Sequence, residues 1–83
     1  MLDIIRATKL KTGADYPLVC RMNADELLPG EGNTVDECLK LCQMAAEAGA
    51  DAISLTIGWH ESRIAAVTMD VPIGAWVELS KKF

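Results

Sequence analysis

The tightest constraint in this sequence is an alternation of two periodicities: helical, extended, helical, extended, helical. Extended runs separated by helices form parallel strands joined by right-handed crossovers. Residues 3–12 read as the first helix, with Ile4, Ile5 and Ala7 as its apolar contributors and Gly13 as its stop. Tyr16-Pro17 then introduces Leu18, Val19, Cys20, Arg21 and Met22. A short apolar run ending in a charge is the pattern of a doubly covered parallel strand whose tip meets a site. A long loop is expected over 23–33, which holds Pro29, Gly30 and Gly32. Thr34 and Glu37 form a capping box. Behind it Val35, Cys38, Leu39, Cys42, Ala45 and Ala46 recur at helical spacing until Gly49 closes the helix. Residues 52–57 alternate apolar and small hydroxyl side chains as the second strand, ended by Gly58. An irregular segment is expected over 59–73, and the start of a last helix over 74–83.

Two parallel strands do not make a stable sheet by themselves. The chain therefore reads either as a fragment or as a module that completes its sheet with copies of itself or a partner. Both ends fall in or beside helices, which favours the fragment. A whole (β/α)8 barrel takes roughly 250 residues, so a chain of 83 residues supplies about a third of one. The expected class is α/β, a partial (β/α)8 TIM barrel of about two βα units with flanking helices.

Composition removes several functions. The net charge is −4 and the Lys and Arg residues are scattered. No basic stripe exists to follow a phosphate backbone, so no nucleic-acid partner is expected. No apolar stretch has the length of a bilayer span, and the N-terminus lacks the pattern of a secretory signal. The three cysteines, Cys20, Cys38 and Cys42, form no disulfide framework. Cys38 and Cys42 stand one helical turn apart, but a single His leaves too few ligands for a zinc site, and no metal is expected. They read as small core residues in a reducing cytoplasm.

In sheets and barrels, sites form beyond the carboxyl ends of the strands. Here those ends are Arg21-Met22-Asn23 and Gly58-Trp59-His60. The connections at this rim are the long ones, whereas the connection over 49–51 at the opposite rim is tight. Arg21 fits either a ligand contact or an ion pair with a carboxylate on a neighbouring strand. His60 is suited to proton transfer near neutral pH or to a structural hydrogen bond. Trp59 can stack on a planar ligand or cap the core, and Glu61 and Arg63 can pair with each other in solvent. Nothing resembles a phosphate-cradling glycine loop, a nucleophile elbow or a paired-carboxylate site.

The segments VCRMNADEL and EAGADAI, and above all IGWHESR followed by VPIGAW, resemble the Old Yellow Enzyme-like NADH:flavin oxidoreductases. Their bacterial 2,4-dienoyl-CoA reductase branch is the nearest, and the resemblance covers nearly the whole chain. It implies a (β/α)8 barrel holding FMN at its carboxyl rim. Residues 1–83 then span the helix after the fourth strand through part of the sixth helix. The family's FMN-contacting arginine falls on Arg21 and its active-site histidine on His60. In the family that histidine works beside a tyrosine from an earlier strand to deliver a proton as flavin hydride adds to a conjugated double bond. Glu61, Ser62 and Arg63 fall on the stretch that lines the substrate pocket. The implied activity is reduction of an activated C=C bond in an enoyl or dienoyl thioester, enoate or enone, with NAD(P)H-derived electrons.

The chain also departs from the family. Ile73 stands where relatives carry a basic residue. The first strand, the catalytic tyrosine, the phosphate site, the iron–sulfur cysteines and the FAD-linked region of longer relatives are not encoded in these residues. The isolated chain is therefore expected to be inactive. The alternative is a non-catalytic α/β module that self-associates through open sheet edges or docks to the rest of a split barrel.

Overall fold

Among the described residues five elements follow one another in the expected order: helix α1 (Leu2–Thr12), strand β1 (Val19–Asp25), helix α2 (Val35–Glu47), strand β2 (Ala52–Ile57) and helix α3 (Val77–Lys82). They are taken from a computed structural model that describes residues 1–64 and 71–83. The strands are parallel neighbours in one two-stranded sheet, with Val19 opposite Ala52, Arg21 opposite Ser54 and Asn23 opposite Thr56. The class is α/β, with helices joining parallel strands.

Helix α2 is the best-specified element. The Glu37 amide donates to Thr34 Oγ1 at 3.3 Å, and the Thr34 amide donates back to the Glu37 carboxylate at 2.8 Å. This is the reciprocal cap expected from the sequence. The helix turns Cys38, Cys42 and Ala45 inward, and Ala48 follows at its end. Ala46, expected in the core, is exposed. The helix stops where Gly49 adopts φ 118°, a left-handed conformation that other side chains resist. Burial pushes the Cys38 and Cys42 thiols up, Cys38 further aided by the Glu26 carboxylate, which favours the thiol over the thiolate.

Helix α1 departs from its sequence reading in its inner face. Ile5 is buried and Leu2 packs beside it, whereas Ile4 is 70% exposed and Ala7 also faces out. Ile5, Ala45 and Ala48 form the core, with Leu2, Leu18, Cys20, Met22, Ala50 and Ile53 packed around them. The core thus lies on one face of the sheet, under α1 and α2. The other face carries Val19, Arg21 and Asn23 from β1 and Ala52, Ser54 and Thr56 from β2, since side chains alternate along each strand. Val19, Arg21, Ala52 and Ser54 on that face are exposed.

Two boundaries are corrected. Strand β1 runs to Asp25 and not to Met22, so the loop begins at Glu26. The extension contains a bulge at Ala24: Asn23 pairs with Thr56 and Asp25 with Ile57, leaving Ala24 extra and fully buried. Helix α3 starts at Val77, three residues later than read, because Gly74 has φ 78° and 72–77 forms turns closed by Ala75 N–Pro72 O and Val77 N–Gly74 O bonds. The irregular segment read over 59–73 falls partly on 65–70, outside the described residues.

At the amino rim, one clamp ties three elements. Lys9 Nζ donates to the Ala14 and Tyr16 carbonyls at 3.0 and 2.8 Å and to Asp51 Oδ2 at 2.5 Å. Asp51 Oδ2 also accepts the Leu18 amide at 2.7 Å. The end of α1 is thereby fixed to the start of both strands.

Candidate functional site at the carboxyl rim

The bulge at Ala24 and the turn after β2 meet at the carboxyl rim. The Gly58 amide donates to the Asp25 carbonyl at 2.7 Å, extending strand pairing by one bond. Asn23 Nδ2 donates to the Gly58 carbonyl at 3.1 Å, so both backbone groups of Gly58 are held by β1. Gly58 itself has φ 84°, and a Cβ there would lie 2.4 Å from the Ile64 carbonyl oxygen. Only glycine fits that close approach.

Beyond Gly58 the chain folds back on Ser62. Its hydroxyl accepts the Trp59 amide at 2.9 Å, and its oxygen lies 2.7 Å from both the Trp59 and the Ile64 carbonyl oxygens, between which its single proton is shared. Ser62 is 7% exposed, whereas its neighbours Glu61 and Arg63 face solvent. Its side chain is thus fully engaged with the local backbone and lies apart from Glu61 and Arg63. The turn presents Trp59 and His60 outward, their ring centroids 5.9 Å apart and tilted by 60°.

A cleft of about 680 Å³ opens here, with Arg21, Asn23, Thr56, Trp59 and His60 on its wall and Trp76 closing one side. Arg21, expected at the strand tip, sits mid-strand and exposed, because β1 continues past it through the bulge. Among the described residues Arg21 makes no ion pair and no side-chain hydrogen bond, so its guanidinium faces the cleft uncommitted. Arg21 and His60 therefore share one cleft, whereas Glu61, Ser62 and Arg63 do not line it. Among the described residues no cluster of His, Cys, Asp and Glu is placed to hold a metal ion. No helix among them is long and apolar enough to cross a membrane.

Asn23 is the site residue that the sequence reading placed in a loop and assigned no part. Its signal was its position two residues after Arg21, which puts both side chains on the same face of a strand that continues.

No family model matches the chain. Individual proteins do. A metal reductase of Desulforamulus reducens is 35% identical over 79 residues, 95% of this chain and 12% of the relative. An NADH oxidase of Thermoanaerobacter brockii is 41% identical over 61 residues, 74% of this chain and 9% of the relative. A solved 2-naphthoyl-CoA reductase in complex with 2-naphthoyl-CoA superposes with a TM-score of 0.83 at 37% identity, over 98% of this chain and 12% of that one. The chain is related to one segment of the Old Yellow Enzyme-like reductases. The resemblance read from IGWHESR and VPIGAW holds, and it spans about an eighth of the length of the proteins it matches. The fold similarity places the two strands, the helix between them and the rim turn together in one segment of a much longer reductase chain.

Proposed function

We propose that residues 1–83 form the helix 4 to helix 6 region of an FMN-binding (β/α)8 barrel that reduces an activated C=C bond with NAD(P)H-derived electrons. The observation that carries this reading is the convergence of an uncommitted Arg21 and of His60 on one rim cleft, in a chain that superposes on a CoA-thioester reductase. The sheet face left open by α1 and α2 fits the inward face of a barrel whose other strands would cover it, and the free thiols fit a cytoplasmic protein.

The residues present fit one edge of FMN. Arg21 offers a fixed cation and planar donors, which suit an electron-rich ring carrying acceptor atoms. When bound, FMN would supply the hydride. The chain's own part is to hold that ring with Arg21 and to deliver a proton from the His60 imidazole to the substrate carbon left electron-rich by hydride addition. Glu61 and Arg63, exposed beside His60, would meet the polar part of the substrate. Ser62 would act on the substrate only through the shape of the turn, because its hydroxyl is already engaged.

The test is a chimera in which this chain replaces the matching segment of 2-naphthoyl-CoA reductase. It should retain flavin and reduce an enoyl thioester, and His60→Asn should lower kcat by about 10²–10⁴-fold, the range of a positioned general acid. Full activity in the His60→Asn chimera would sink the reading. The purified 83-residue chain, given FMN and NADH, should reduce no enone.

The open sheet face and the two strand edges also support a second reading, a module that self-associates or docks to the rest of a split barrel. Sedimentation of the purified chain tests it. A stable monomer with a cooperative melt counts against association.

A further inference from the structure

We infer that Asn23 is a positioning residue that sets the pose of His60 by holding the Gly58 carbonyl. A carbonyl oxygen only accepts hydrogen bonds, so the 3.1 Å contact fixes the Asn23 amide with Nδ2 toward Gly58. Asn23 Oδ1 is left buried with no donor among the described residues. An apolar side chain of the same size would remove the orphaned Oδ1 but would leave the Gly58 carbonyl without its donor, so one unpaired acceptor is exchanged for another and local stability gives an amide little advantage here. What the amide does provide is a bond spanning 35 residues of sequence, from the open face of β1 to the first residue beyond β2.

Gly58 is the hinge of the rim turn. Its amide is tied to Asp25, its carbonyl to Asn23, and its left-handed backbone directs Trp59 and His60 toward the cleft. On the far side of His60, Ser62 locks the turn onto Trp59 and Ile64. His60 thus stands between two anchors, one internal to the turn and one made by the two bonds from β1 to Gly58. Asn23 also lies on the same strand face as Arg21, two residues further on, so one strand both presents the cation and anchors the histidine turn. The bond from Asn23 is one of the two that tie the turn carrying His60 to the strand carrying Arg21.

The catalytic meaning of this role rests on the proton-delivery reading of His60, but its test does not use flavin or substrate. His60 is the single histidine of the chain, so its imidazole signals in a ¹H–¹³C NMR spectrum are unambiguous. Trp59, at a ring-centroid distance of 5.9 Å, should displace them from random-coil positions. Asn23→Leu removes both amide groups at similar volume, trading the orphaned Oδ1 for an unpaired Gly58 carbonyl, and should leave the melting temperature close to the parent's. In the same sample the His60 resonances should lose most of their displacement. Asn23→Asp at neutral pH keeps the shape, lacks the donor, and should do the same. Unmoved His60 signals in either folded variant would overturn the inference. So would unfolding of both variants, which would make Asn23 an ordinary structural residue, and so would a parent chain whose His60 already sits at random-coil positions. If the chimera fails to reduce a thioester while Asn23→Leu still moves His60, the functional reading falls and the positioning role stands.

Discussion

At the scale of single residues, the rim depends most on Gly58. Substitution by Ala combines a left-handed backbone with a Cβ placed 2.4 Å from the Ile64 carbonyl oxygen. Gly58→Ala should therefore cost about 2–4 kcal/mol, from backbone strain together with overpacking. Urea denaturation measures it, and a loss below half a kcal/mol would mean that the turn rearranges freely. The sequence marked Gly58 as a strand stop, which is a local property of glycine. It did not show that Ile64 returns over it, because that contact depends on Ser62 drawing the chain back. That His60 and Arg21 lie at one rim was legible from their places near strand ends, and both line the cleft there. Ser62 was legible only as a member of a motif; three backbone groups around its hydroxyl decide what its side chain does.

At the scale of elements, legibility follows how local the determining forces are. The start of α2 could be read from four residues because its cap is closed by Thr34 and Glu37 alone. Strand β2 was placed at its true bounds, 52–57, because glycine and alternation define it locally. Strand β1 was read three residues short, because Asn23 and Asp25 look like loop residues until their pairing with Thr56 and Ile57 is known. Long-range pairing thus overrode local preference.

The cap gives a sharp prediction. Thr34→Ala should destabilise α2 by about 1 kcal/mol. The Thr34 amide and hydroxyl also hold the Glu37 carboxyl below its ordinary range. A depressed carboxyl contributes stability that is present above its unfolded pKa and lost as pH falls through its folded pKa. Helix content followed by circular dichroism should therefore fall less on acidification in Thr34→Ala than in the parent. An equal acid loss in both would mean that the Thr34 amide, which the substitution keeps, holds the Glu37 carboxylate without help from the hydroxyl.

At the scale of the molecule, the two rims divide the labour. The carboxyl rim holds the cleft, and the amino rim holds the Lys9–Asp51 clamp, which joins α1, β1 and β2 through one carboxylate oxygen. In a chain with so small a core, and with one sheet face open among the described residues, a tie of this kind adds to what holds the elements together. The Asp51 carboxyl is held below its ordinary range, first by the hydrogen bond from Lys9 and then by the Leu18 amide. Its contribution is accordingly complete above the ordinary carboxylate range and vanishes as pH falls through the lowered value. Asp51→Ala leaves the Leu18 amide unpartnered and Lys9 with two carbonyls alone. The variant should melt at a lower temperature than the parent at neutral pH, and the gap should narrow toward strongly acidic pH, where the parent has lost the same carboxylate. While it remains folded, its His60 resonances should match the parent's, because the clamp lies at the opposite end of both strands. A displaced His60 signal in folded Asp51→Ala would mean that the rims are coupled through the strands, and that clamp and cleft act as one unit.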